Sequence, residues 1–105
     1  MNVKANSLIH GFEIGQLVYS KAGRDKGHYY LIYALDEARG RALLVDGRKR
    51  NAENPKVKNP VHLQKTNTVN ENFKEKVLNK SVITSKEINE FFNSLGLTGL
   101  KQGGV

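Results

Sequence analysis

The stretch from Gly15 to Asp36 constrains the fold more than any other part of the sequence, because it predicts two strands around a short loop. Residues Gln16–Ser20 alternate as a strand does, with Val18 facing a core and Tyr19 the other side. Residues His28–Leu35 are rich in aromatic and β-branched side chains, which favour a strand. The apolar residues of this second strand occupy both faces. Such a strand is covered on both sides, bends through a barrel corner, or exposes aromatic rings for use.

The loop between these strands carries Arg24, Asp25 and Lys26 between Gly23 and Gly27. Glycine adopts positive φ easily and lets another chain approach its backbone closely. One interpretation is a solvated, charged hairpin turn, since charged loops are the norm on protein surfaces. The other is a basic loop that approaches a polyanion.

Charge favours a polyanionic partner. The 105 residues are enough for one domain and carry a formal net charge of +7, which indicates binding to nucleic acid or to a membrane surface. Residues 1–66 hold 12 Lys/Arg against 6 Asp/Glu, whereas residues 67–105 hold 5 against 4. The basic surface is therefore expected in the first two thirds of the chain.

Several classes of protein are disfavoured by composition. The sequence has no cysteine, which excludes disulfides, cysteine-ligated metal sites and thiol nucleophiles. The N-terminal segment lacks the apolar core of a signal peptide, and no apolar run is long enough to span a bilayer. The sequence predicts a cytoplasmic protein that does not bind membranes and has no cofactor.

Short strands continue after residue 36. Arg41–Val45 is predicted as a third strand, and the Asp46-Gly47 pair that follows predicts a two-residue type I′ hairpin. Arg48–Arg50 would then lie on the returning strand. Two prolines make Asn54–Pro60 extended, and Val61–Gln64 is a candidate last strand. Short strands separated by turns at this spacing are typical of a small β-barrel.

Helical patterns begin at about residue 66. Thr68–Glu71 is predicted to be a capping box that starts a short helix, and Thr84–Glu87 a second. The second helix carries an apolar stripe and ends near Gly96. The stripe is either core or a docking surface, and its residues are Ile88, Phe91, Phe92 and Leu95. The predicted organisation is an arm at 1–14, a barrel at 15–66, a helical extension at 67–96 and a flexible tail at 97–105.

The strand–AGRDKG–strand unit resembles the KOW motif, a short signature of two strands around a loop with a near-fixed glycine, here Gly27. The resemblance extends over roughly residues 13–66 and is closest to a group of large-subunit ribosomal proteins and their small bacterial relatives. The residues that carry it are Gly15, Val18, Ser20, Ala22–Gly27, Val45–Gly47, Asn59, His62 and Leu63.

This resemblance implies a mainly β fold, a small SH3-like barrel of about five strands, followed here by two short C-terminal α-helices. In such proteins the KOW loop and nearby basic residues contact RNA, so the expected function is non-catalytic binding to ribosomal RNA or the ribosome. Loop backbone N–H groups would add an anion-binding nest. The candidate RNA-binding residues are Lys21, Gly23, Arg24, Asp25, Lys26, Gly27, His28, Arg48, Lys49, Arg50, Lys56 and Lys58.

Other interpretations of these residues stay open at this point. Lysines and prolines on an edge strand also prevent aggregation. Tyr19, Tyr29 and Tyr30 are either core residues or a platform for unpaired bases, with Tyr19 the best candidate for exposure. The three histidines show no metal-ligand spacing and no catalytic set is present, which argues against an enzyme. A protein partner docked on the barrel or the C-terminal helix is the alternative function.

Overall fold

The computed structural model describes residues 9–97. The predicted flexible tail, from residue 98 onward, and the predicted arm up to residue 8 lie outside the described residues. In chain order the elements are β1 (Gln16–Ser20), β2 (Tyr29–Asp36), β3 (Arg41–Val45), β4 (Lys56–Lys58), a 3₁₀ turn (Pro60–His62), β5 (Leu63–Val69), α1 (Glu71–Leu78) and α2 (Ser85–Ser94).

The five strands form one antiparallel sheet in the order β4-β3-β2-β1-β5. This confirms the predicted mainly β fold with two C-terminal helices. In a flat sheet the edge strands β4 and β5 would be separated by four gaps of ~4.8 Å. Only residues 59–62 join them, mostly as a 3₁₀ turn that advances about 2 Å per residue. The sheet therefore curls toward a barrel, and Lys58 Nζ of the edge strand β4 donates to Ala22 O, just beyond the end of β1, at 3.1 Å.

Apolar side chains cover both faces of the curled sheet, because β1 and β2 alternate between two cores. The inner core lies within the curl and contains Val18, Tyr30, Ile32, Ala42, Leu44 and Leu63. The outer core lies beneath the helices and contains Leu17, Leu31, Val45, Phe73, Ile88 and Phe92. The prediction that Val18 faces a core is confirmed, and β2 is a strand covered on both sides.

The C-terminal helices pack on the sheet. Ile88 and Phe92 of α2 are buried in the outer core, while Phe91 packs partly against it and Leu95 is exposed. The predicted capping box at Thr84 is confirmed, because the Thr84 side chain accepts from Glu87 N and the Glu87 side chain accepts from Thr84 N. Half of the predicted apolar stripe is thus core.

The predicted two-residue hairpin at Asp46-Gly47 is wrong. The strand that pairs with β3 is β4, which starts at Lys56, and Arg48–Arg50 form part of an irregular loop. A type I′ turn needs positive φ at both central residues, and of these two only Gly47 has it. The Asp46 carboxylate instead accepts from the backbone N–H groups of Arg48 and Arg50, which turns the chain into a wider loop.

The predicted capping box at Thr68 is also wrong, since β5 continues through Thr68 to Val69 and pairs with β1. The N-cap of α1 is Asn70, whose side chain accepts from Phe73 N. Val69 pairs with Gln16 of β1, so the strand continues past Thr68 and the cap is the first residue beyond it. The candidate last strand at Val61–Gln64 begins at Leu63, because residues 60–62 form the 3₁₀ turn.

Candidate nucleic-acid interface

The loop between β1 and β2, residues 21–28, is fixed by its own backbone. Gly27 N donates to Ser20 O and His28 N donates to Asp25 O, both at 2.8 Å. Gly27 has a φ of 87°, a left-handed conformation that side chains other than glycine adopt at a cost. Arg24 and Lys26 are exposed on either side of Asp25, so the loop holds two cations on a rigid turn.

The Asp25 carboxylate anchors this loop from within. It accepts from Ser20 Oγ at 2.8 Å, from Tyr30 Oη at 2.7 Å and from Lys58 Nζ at 2.9 Å. Burial opposes ionisation of the carboxyl, but these hydrogen bonds outweigh burial and hold the pKa of Asp25 well below its usual range. Burial and the neighbouring carboxylate raise the pKa of Tyr30. Asp25 is therefore an internal anion already neutralised by Lys58.

A second buried carboxylate, Asp46, organises the loop after β3. Its Oδ1 accepts from Arg48 N and Arg50 N, each at 2.9 Å, and its Oδ2 lies 2.7 Å from His28 Nε2. Burial raises the pKa of Asp46, but the His28 and backbone hydrogen bonds outweigh burial and lower it. The His28–Asp46 contact ties the β1–β2 loop to the β3–β4 loop.

The two loops together enclose a cavity of about 240 Å³, here called the basic cleft. Its cationic lining residues come from both loops and from β4, and they are Arg24, Lys49, Arg50 and Lys56. Its two acidic lining residues are Asp25, which pairs with the Lys58 ammonium, and Asp46, which is held by backbone N–H groups and by His28. The four cations outnumber these carboxylates and favour an anionic ligand, although Arg24 and Lys56 are far apart in sequence.

A second cavity of about 440 Å³ lies on the other flank of the same loop, and we call it the tyrosine pocket. Its lining residues are Tyr19, Ser20, Lys21, Lys26 and Gly27. The Tyr19 ring is half-buried and meets the Tyr29 ring edge to face, with centroids 5.3 Å apart. Tyr30, by contrast, lies in the inner core.

The predicted site residues therefore occupy different environments. Arg24, Asp25, His28, Lys49, Arg50 and Lys56 line the basic cleft, while Lys21, Lys26 and Gly27 line the tyrosine pocket. Arg48 is exposed and lines neither cavity, and Gly23 lies next to the Lys58 ammonium. Asp25 and Lys58 point inward and pair with each other, so their contribution to any interface is to position the loop.

The sequence alone did not identify three residues that hold the site together. Ser20 and Tyr30 donate hydrogen bonds to Asp25. Asp46 contacts His28 of the β1–β2 loop and backbone N–H groups of the β3–β4 loop. A signal for Asp46 does exist in the sequence. The nine residues between Asp46 and Lys56 lack the alternating apolar pattern of a returning strand, which is more typical of an aspartate-capped loop than of a tight hairpin.

Compared with known proteins, the chain matches no family model and no curated protein. Among residues 9–97, no cluster of three or more histidine, aspartate or glutamate side chains is arranged to hold a metal ion. Within the same residues, neither α1 nor α2 is long and apolar enough to cross a membrane.

Proposed function

We propose that this protein binds RNA through the phosphate backbone at the basic cleft. The observation that carries the proposal is that Arg24 of one loop meets Lys49, Arg50 and Lys56 of distant segments around a single cavity. Cations on a rigid turn cost less entropy to place on a phosphate than cations on a mobile chain. Guanidinium groups add bidentate geometry for phosphate oxygens.

The electrostatics of the cleft support a polyanionic ligand. Lys58 compensates the Asp25 carboxylate, and the Asp46 carboxylate accepts from two backbone N–H groups and contacts His28, so neither carboxylate lies without a partner beneath a phosphate in the cleft. Structured RNA is recognised largely through shape, phosphate and 2′-hydroxyl contacts, for which clustered arginine and lysine suffice. Asp25 holds the loop that carries Arg24, and Asp46 holds the loop that carries Lys49 and Arg50.

Ribosomal RNA is the class of RNA that we propose, with the translating ribosome in the cytoplasm as the place of action. The support is the resemblance of the AGRDKG loop and its two strands to the KOW motif. We propose that the protein binds this RNA without catalysing a reaction. Ser20, whose hydroxyl donates to Asp25, is only 1 % exposed, which argues against a role as a nucleophile.

Binding to a structured RNA hairpin at several salt concentrations tests the proposal. Each phosphate neutralised contributes about 0.7–0.9 to the slope of log affinity against log salt, so four cations predict a slope of roughly −3. The double variant Arg24→Gln, Lys49→Gln should bind more weakly and with a slope shallower by about 1.4–1.8.

The matched control removes the same charge from the helical part of the chain, where Lys80 and Lys86 are exposed. The variant Lys80→Gln, Lys86→Gln should keep the wild-type slope. Equal losses in both double variants would mean that net charge, rather than the cleft, attracts RNA. Sedimentation of the tagged protein in a lysate tests the ribosome: co-migration with ribosomal particles that RNase or salt abolishes supports it, and migration indifferent to both contradicts it.

A further inference from the structure

We infer that the tyrosine pocket receives one unpaired nucleobase of the RNA whose phosphates lie in the basic cleft. This inference rests on the proposed function and adds a second, base-binding subsite to it. The ligand is therefore a single-stranded loop or bulge beside a structured segment. Bases in a continuous duplex are stacked on their neighbours and cannot enter a protein pocket.

The aromatic wall of the pocket is held in place before any ligand arrives. Tyr29 packs against the outer core and meets Tyr19 edge to face, at 5.3 Å between ring centroids and 60° between planes. The Tyr19 ring therefore keeps one orientation and remains half-exposed toward the cavity. A fixed, partly exposed ring is what base stacking requires, and the stack is tolerant of base identity.

The rest of the pocket suits a nucleotide in size and charge. A volume of about 440 Å³ lies within the range of small-ligand pockets. Gly27 has no side chain to fill it, and the Ser20 hydroxyl points away to Asp25. Lys21 and Lys26 are exposed at its edge, and none of the described residues that line it carries negative charge. The lysines would hold the phosphates that flank the base.

The loop connects the two subsites. Arg24 lines the basic cleft and Lys26, two residues later, lines the tyrosine pocket. The Asp25 carboxylate between them is held by three hydrogen bonds, which anchor the turn that carries both residues. An RNA strand that passes over this turn places phosphates on one flank and a base on the other.

The test compares two RNA hairpins. One has an unpaired 2-aminopurine nucleotide bulged from its stem, and the other has the same stem without the bulge. We expect tighter binding of the bulged hairpin and quenching of 2-aminopurine fluorescence by stacking on Tyr19. Tyr19→Leu should lower affinity for the bulged hairpin roughly 5- to 150-fold, leave the paired hairpin unaffected and abolish the quenching. Tyr19→Phe keeps the ring and should retain both properties.

The outcomes separate this inference from the proposed function. Equal affinity for the two hairpins, with no effect of Tyr19→Leu and a persistent salt slope, overturns the pocket and leaves phosphate binding intact. Loss of binding to both hairpins in Arg24→Gln, Lys49→Gln, with the bulge preference lost in Tyr19→Leu, supports two subsites. If neither hairpin binds to wild-type protein, both the proposed function and the pocket are wrong.

Discussion

The ammonium of Lys58 lies 2.9 Å from the carboxylate of Asp25, although the two residues are 33 positions apart in the chain. The pair joins β4, at one edge of the sheet, to the loop between β1 and β2. Both side chains are largely buried, at 11 % and 15 % exposed. Lys56, two residues earlier on the same strand, lines the basic cleft instead. Of the two lysines on this short strand, Lys58 therefore anchors the loop and Lys56 faces the cleft.

This difference predicts opposite phenotypes for the two lysines. Lys58→Met should lower the free energy of unfolding by about 1.5–3 kcal/mol, because it removes a charge-assisted hydrogen bond and leaves Asp25 uncompensated. Lys56→Met should change the free energy of unfolding by less than about 0.5 kcal/mol. Urea titration of both variants measures the difference.

RNA affinity should follow the reverse order. At temperatures where both variants are folded, Lys56→Met should weaken binding to a structured hairpin, and Lys58→Met should retain most of the wild-type affinity. Weaker RNA binding by folded Lys58→Met than by Lys56→Met would show that Lys58 contacts the ligand directly.

Acid should destabilise the fold through Asp25 and Asp46, whose pKa values are both lowered in the folded protein. A carboxyl with a lower pKa when folded adds stability above its unfolded pKa of about 3.9, and this stability is lost as pH falls further. The free energy of unfolding in urea should be nearly constant from about pH 7 to 5 and fall below about pH 4. Asp25→Asn should reduce that fall, and an unchanged pH dependence in this variant would contradict the assignment.

Gly47 should be intolerant of substitution because it lies under α2. A Cβ atom there would lie 2.9 Å from Cβ and Cγ2 of Ile88 and 3.0 Å from the backbone nitrogen of Asn89. Gly47→Ala should cost about 1–2 kcal/mol for its left-handed backbone and a further ~1–3 kcal/mol for crowding.

Gly96 supplies the control for this substitution. It has a similar φ of 77°, against 79° at Gly47, but no atom of the described residues lies within 4 Å of the position that a Cβ would take there. Gly96→Ala should therefore show the backbone cost alone. Equal losses of thermal stability in the two variants would mean that α2 does not press on Gly47.

Alanine substitutions in α2 test whether this helix is part of the core or a docking surface. Phe92 is fully buried, so Phe92→Ala should lower the free energy of unfolding by about 3–5 kcal/mol. Phe91 is only partly buried against the same core, so Phe91→Ala should cost less. Full stability of Phe92→Ala, measured in urea, would favour the alternative in which α2 serves a protein partner.

Local patterns predicted much of the fold. The alternation in β1, the aromatic and β-branched run of β2 and the capping box at Thr84 each act over a few neighbouring residues, and each prediction is confirmed. The errors at Asp46-Gly47 and at Thr68 have different causes. The Asp46 carboxylate accepts from backbone N–H groups of its own wider loop and contacts His28, whereas the pairing of Val69 with Gln16 continues β5 past Thr68.

The sequence by itself determined the first three strands, the second helix and the part of the chain in which positive charge collects, because periodicity, capping and composition are local properties. Only the tertiary structure decided which charges remain available to a ligand. Lys58 forms an ion pair with Asp25, and Asp46 points inward and contacts His28. Arg24 and Lys56 line the same cleft. These assignments depend on the curl of the sheet, which brings together side chains that no local pattern relates.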